Sequence, residues 1–441
     1  MSESAHQMET LLVHGGLEPG PGGATAVPIV QSNAFAKATA EELENLFRGR
    51  AAGPVYTRMG NPTAAALERR LALLEGGGAA IATASGMAAI ATAALTVLRA
   101  GDEILSSSSL FGGTYSLFRD TLSENGISAR FVDPLDLDGV RAAITDRTRL
   151  LFTETIGNPK LDVPDVPALA EIAHAAGLPL LVDSTVTTPC LATGARLGAD
   201  LLAYSTSKYV NGTGTTIGGA IVDRGVFNWG SGKFPHFDAF QQKYRPFAFT
   251  ARARRRVHRD LGGCAAPFNS FLLAEGLQTL ALRMDRHCAN ALALARFLRG
   301  HPRVARVNYP GLEDSPHRAV VERLYGGRAS GLLTFGVGDK AAAFRVLNRL
   351  KLARILASIG DAKTLAIHPA STICAEYSDE EKARLGATDD VIRVSVGIES
   401  PVDILEDFRQ ALDGPDCPPP PARPPPDYFA AFHLRNPPGG V

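Results

Sequence analysis

Between residues 79 and 225 short apolar runs alternate with segments of helical period, and no other feature constrains the fold as much. The runs cover 79–83, 103–106, 150–153, 178–182, 201–204 and 219–222, and the helical segments between them include 87–98, 115–124 and 167–176. A strand that is apolar at nearly every position has to be covered on both faces. Intervening helices supply that cover, so the pattern predicts an α/β fold with a mostly parallel sheet. Ligand sites in such sheets lie beyond the carboxyl ends of the strands. A helix precedes the first run, because Leu67, Leu71 and Leu74 recur at i, i+4 and i+7 and form one buried stripe.

The flanks differ in texture. Residues 1–62 are rich in Gly, Pro and small polar residues, with one helical patch at 41–47, and read as an N-terminal arm. A large domain is expected over 63–266; its last part, 226–262, mixes Pro, Phe and His with a basic run, Arg252, Arg254, Arg255, Arg256, His258 and Arg259. A long helix over 267–298 and strand–helix patterns at 332–337, 341–350 and 391–396 predict a smaller C-terminal α/β domain, 267–413. The stretch 414–441 holds ten of the 29 prolines and is expected to be an unpacked, polyproline-rich tail.

Lys and Arg together number 45, as do Asp and Glu, so the formal net charge is zero. No net field draws the whole chain to nucleic acid or to an anionic membrane surface. Five cysteines lie far apart without C-x-x-C spacing. That pattern argues against a disulfide framework or a zinc site and suits a reducing cytoplasm. No leader peptide and no apolar stretch of membrane-spanning length are expected, and no metal.

The chemistry concentrates between Leu180 and Asp223. Asp183 closes one apolar run, and Lys208 follows the next, within Ser205-Thr206-Ser207-Lys208-Tyr209. Neighbouring strand ends can bring this carboxylate and this amine together. A carboxylate keeps a pyridine nitrogen protonated, and a partly desolvated lysine can form a Schiff base with an aldehyde. Ser205 and Ser207 offer hydroxyls to a phosphate. On these residues alone, a helix-capping aspartate and a surface lysine remain the plainer reading. At Ala84-Ser85-Gly86-Met87 a strand gives way to a helix, whose N-terminal N–H groups would suit a phosphate; an ordinary tight turn is the alternative.

Eight motifs then carry a resemblance: METLLVHGG (8–16), VYTRMGNPT (55–63), ATASGMAAI (82–90), SSSSLFGGTYSLF (106–118), ETIGNPKLDVPD (154–165), PFNSFLL (267–273), GDAKTLAIHPAST (360–372) and VIRVSVGIE (391–399). Over residues 8–412 the chain resembles the Cys/Met-metabolism family of pyridoxal-phosphate enzymes, and within it the O-acetylhomoserine sulfhydrylases. The resemblance implies an aspartate-aminotransferase-like fold with a seven-stranded sheet and pyridoxal 5′-phosphate as cofactor. It implies that Lys208 forms the Schiff base and moves protons, and that Asp183 holds the pyridinium. Ser85, Gly86, Met87, Ser205 and Ser207 would surround the phosphate, and Asn158 would lie near the phenolic oxygen. Tyr56 and Arg58 would complete the site of a neighbouring subunit, Tyr56 as part of the catalytic set. The expected assembly is a homodimer that shares its sites, paired into a homotetramer. Arg393 would bind the substrate carboxylate with help from Ser358.

The implied reaction is γ-substitution on an activated homoserine through a vinylglycine-type ketimine, with an amino-acid substrate and a small nucleophile. O-acetylhomoserine with sulfide is the leading pair. S-adenosylmethionine with a carbon nucleophile, and a methionine or cystathionine γ-lyase, stay open. Three departures from the family pattern bear on that choice. Phe111 stands where a ring-stacking Tyr is usual, so the hydroxyl that would protonate the leaving group is missing unless Tyr115, Tyr56 or water replaces it. Ser184 stands where Asn usually follows the aspartate. The basic run at 252–259 is either a solvated helix face or a site for an anionic substrate. His236 and His368 are expected to be structural or to line the substrate site. Cys190 lies near the site without the surroundings of a nucleophile.

Overall fold

The computed structural model describes residues 6–16 and 20–414; of the tail expected at 414–441, everything from 415 on lies outside the described residues. Seven strands form the first sheet: β1 (Ala79–Thr83), β2 (Glu103–Ser107), β3 (Ser128–Val132), β4 (Thr148–Glu154), β5 (Leu180–Asp183), β6 (Leu201–Tyr204) and β7 (Gly219–Asp223). Their order is β1-β7-β6-β5-β4-β2-β3. The run from β6 to β3 is parallel, and only β7 is antiparallel to its neighbours. β1, β2, β4, β6 and β7 are buried along almost their whole length, because helices cover both faces as the apolar runs require.

The helix Pro62–Leu74 begins on an Asn61 cap, whose side chain accepts the Thr63 N–H, with proline in its first turn, an arrangement that fits the missing proline donor. Leu67, Leu71 and Leu74 are all buried. The long helix expected over 267–298 is two helices, Pro267–Gln278 and Leu280–Gly300, separated at Thr279. A second sheet follows, built from β8 (Arg306–Asn308), β9 (Leu332–Gly336), β10 (Arg354–Ile355), β11 (Leu365–Ile367) and β12 (Val391–Ser395) in the order β10-β11-β12-β9-β8. β12, at its centre, carries Arg393. Among the described residues no helix is long and apolar enough to cross a membrane.

Candidate active site

The carboxyl ends of β4, β5 and β6 open into a cavity of about 610 Å³. In the parallel register Glu154 stands beside Asp183, and Asp183 beside Ala203. Asp183 Oδ1 accepts the Thr185 N–H at 2.9 Å, and Thr185 Oγ1 in turn accepts the Ser205 N–H at 2.8 Å. These two bonds tie the end of β5 to the end of β6. Burial raises the pKa of Asp183, while hydrogen bonds from Thr185 pull it back. No Lys or Arg forms an ion pair with Asp183 among the described residues, so its charge is available to a cationic ligand.

Lys208 lies just past β6. Its Nζ donates to Ser358 Oγ at 3.0 Å. Burial first, and then the nearby Arg393 charge, lowers the lysine pKa. Both favour the neutral amine, which is the nucleophilic form.

The helix Gly86–Val97 starts at the cavity wall, and Ser85 caps it by accepting the Ala88 N–H at 3.1 Å. The first N–H groups of a helix have no partner within it, which makes this end a receptor for a phosphate. A Cβ on Gly86 would fall 2.6 Å from Ser205 Cβ, so only glycine lets the helix start and the serine approach so closely. Ser207 Oγ accepts the Gly218 N–H at 2.9 Å and donates to its carbonyl at 3.0 Å. The Lys and Arg residues in the cavity lining are Lys208 and Arg393.

Arg393 is 3% exposed. It donates to Asn158 Oδ1 at 3.0 Å and to the Ser358 carbonyl at 3.1 Å, and its Nε has no partner. Burial pushes its pKa down to about 10. A buried guanidinium without a carboxylate partner is costly unless a ligand supplies the anion, and its fork matches a carboxylate. Phe111 lies on the wall, partly exposed.

Ser85, Gly86, Met87, Phe111, Asn158, Asp183, Ser205, Ser207, Lys208, Ser358 and Arg393, all expected from the sequence, line this one cavity. Tyr56 and Arg58 do not line it. They sit together outside it, with the Arg58 guanidinium 5.5 Å from the Tyr56 ring centroid and donating to the Arg259 carbonyl at 2.6 Å. Glu154 and Thr185 are among the lining residues that escaped the sequence reading. The sequence carries little signal for Glu154, because β4 also holds Thr148, Arg149 and Thr153.

The remaining residues singled out in the sequence lie away from the cavity lining. Tyr115 does not offer its hydroxyl to the cavity; it donates to Glu381 Oε1 at 3.2 Å and packs on Phe131 and Tyr377. In the basic run the guanidinium groups of Arg252, Arg254 and Arg255 are already engaged within the chain. Arg252 donates to the Thr96 carbonyl at 3.0 Å, Arg254 pairs with Glu68 at 2.6 Å, and Arg255 lies over Tyr244. His236 bonds the Val97 carbonyl, and burial takes its pKa down to about 4. His368 is held by Ser371 and the Asp389 carbonyl. Burial raises the Cys190 thiol to about 12, which removes it as a nucleophile.

A carboxylate for a ring nitrogen, a weakly basic amine for an aldehyde, a glycine-cleared helix start for a phosphate and a flat ring on the wall fit pyridoxal 5′-phosphate. The profile of the Cys/Met metabolism PLP-dependent enzymes matches residues 9–413. The O-acetyl-L-homoserine sulfhydrylase of Leptospira meyeri is 42% identical over 425 residues, covering 92% of this chain and 96% of its own. The homocysteine synthase of Schizosaccharomyces pombe is 44% identical over 425 residues, covering 93% and 99%. Among solved structures, a putative O-acetylhomoserine (thiol)-lyase of Campylobacter jejuni, determined with N′-pyridoxyl-lysine-5′-monophosphate, superposes with a TM-score of 0.90 at 34% identity, covering 93% of this chain and 100% of that one. The chain therefore belongs to the Cys/Met-metabolism family of PLP-dependent enzymes, with the fold type I architecture and the cofactor of that family.

Proposed function

We propose that the protein replaces the γ-substituent of an activated homoserine, with O-acetyl-L-homoserine as donor and sulfide as nucleophile, releasing homocysteine and acetate. The observation that carries this reading is the role of Ser358 as a bridge. Its hydroxyl accepts from Lys208 Nζ and its carbonyl accepts from Arg393. An amino acid whose α-carboxylate rests on Arg393 therefore has its α-carbon near the lysine. The names of the relatives at 42% and 44% identity support the choice of donor and nucleophile.

When bound, pyridoxal phosphate supplies an electron sink for the substrate's carbon acids. Lys208 would hold the cofactor through Nζ and, once released, would take the Cα proton of the substrate and return protons to it. Asp183 keeps the ring nitrogen protonated. The N–H groups of Gly86 and Met87, with Ser85, Ser205 and Ser207, receive the phosphate. Asn158, whose Oδ1 accepts from Arg393, would stand near the phenolic oxygen. Tyr56 and Arg58 stand outside the cavity of their own chain, which supports their reaching the site of a second copy; we infer a homodimer with shared sites, paired into a tetramer. A cytoplasmic setting suits the four described cysteines, none of which is paired.

A second reading has one observation in its favour. Phe111 brings no hydroxyl to the cavity and Tyr115 points its own elsewhere. A sulfonium leaves as a neutral thioether and needs no proton, so S-adenosylmethionine with a carbon nucleophile suits such a wall. Purified enzyme offered each donor, with acetate and methylthioadenosine followed by mass, separates the two. Acetate release that depends on sulfide is expected. Methylthioadenosine release without acetate would replace the first reading with the second.

A further inference from the structure

Glu154 is the one acidic group on the cavity wall without a part in the chemistry above. It ends β4 and is 5% exposed. Its Oε1 accepts the Phe111 N–H at 2.7 Å, and the Asn158 backbone N–H faces its carboxylate closely enough to lower its pKa. The bond reaches the loop after β2, and the facing N–H belongs to the turn after β4. Those two segments meet closely, since a Cβ on Gly157 would fall 2.2 Å from Ser109 Oγ. Asn158 then passes the constraint on, because its Oδ1 accepts from Arg393 at 3.0 Å. One buried side chain thus holds the backbone under the ring on the cavity wall and faces the backbone of the residue that steadies the guanidinium.

We propose that Glu154 is a positioning residue that sets the Phe111 ring against the cofactor and, through Asn158, sets Arg393 for the substrate carboxylate. The role needs reach and an acceptor oxygen rather than a negative charge. Its surroundings agree: burial, and then the Asp183 carboxylate beside it, hold the Glu154 pKa well above the ordinary carboxylate range. The other charged groups on the cavity wall are Lys208 and Arg393.

Two variants separate reach from charge. E154D keeps the charge but is one methylene too short for the Phe111 N–H; E154Q keeps the reach and an acceptor oxygen but carries no charge. For each holoenzyme we would record visible circular dichroism of the bound cofactor, its dissociation constant from apoenzyme, and KM and kcat for the donor. A buried hydrogen bond of this kind is worth about tenfold or more. E154D is therefore expected to change the dichroic band, weaken cofactor binding and raise KM by about that factor, with E154Q close to wild type in all three and in its pH profile. Wild-type dichroism and KM in E154D would overturn the proposal. So would an E154Q as impaired as E154D, because charge would then be what matters; if E154D does not fold, E154Q alone decides in the same way. Only the KM measurement rests on the substrate reading above. A wrong donor would silence that measurement and leave the dichroism and the dissociation constant to speak for Glu154.

Discussion

Phe111 offers a flat apolar face and no proton. A positioned general acid contributes about 10²–10⁴-fold to a rate when the leaving group needs it. Acetate is a weak base and a thioether is neutral, so neither requires much help. Phe111→Tyr is accordingly expected to change kcat with the natural donor by less than about tenfold, measured under saturating donor and nucleophile. A gain of about a hundredfold would mean that the leaving group is a strong base after all. At this scale the sequence was readable wherever a residue type is demanded by its chemistry. Asp183 and Lys208 stood out by their positions after apolar runs, and both line the cavity. Glu154 did not stand out, because its partners are backbone N–H groups of loops whose approach only the folded chain reveals. Tyr115 misled for the opposite reason: it neighbours the motif in sequence, but its ring turns toward Tyr377 and Glu381.

The strands were legible where burial is two-sided. β1 and β6 begin and end where the apolar runs do. β3 was missed because it is an edge strand and only half covered, with Arg130 reaching out to Glu103. The break at Thr279 was missed because apolar periodicity runs through it, and Arg283 Nε bonds the Thr279 hydroxyl across the join at 3.1 Å. Helix and sheet also meet in a buried polar knot beneath the site. Glu75, at the end of the Pro62–Leu74 helix, accepts from the Tyr204 hydroxyl at the end of β6 and from the Gly194 N–H. Burial raises the Glu75 pKa from 4.5 to about 7. Below pH 4.5 both folded and unfolded chains carry this proton, and its contribution to stability is complete. As pH rises toward 7 the unfolded chain releases the proton and the folded chain retains it, so stability falls, by a total on the order of 3 kcal/mol. E75Q has no proton to lose. Comparing the two by urea unfolding, we expect wild type to lose stability relative to E75Q between pH 4.5 and 7. Parallel curves over that window would contradict the assignment.

At the scale of the whole molecule, the two-sided sheet and its helices follow from hydrophobic patterning, but the completeness of the site does not. In one chain the cavity lining holds Lys208 and Arg393, while Tyr56, 41% exposed, and its neighbour Arg58 stand outside it. A shared dimer makes a quantitative claim. Arg58→Ala and Lys208→Ala enzymes should each be nearly inactive. Refolded together in equal amounts they should recover roughly a quarter of wild-type activity, because random pairing leaves one intact site in each mixed dimer. A mixture as inactive as its parents would place both residues in the site of a single chain. All of these roles depend on a single amine. Borohydride reduction of the holoenzyme, followed by proteolysis and mass spectrometry, reads it directly. The account expects one pyridoxyl-phosphate adduct, on the peptide containing Lys208, and none in Lys208→Ala; an adduct on another lysine, or no adduct in the wild type, would contradict it.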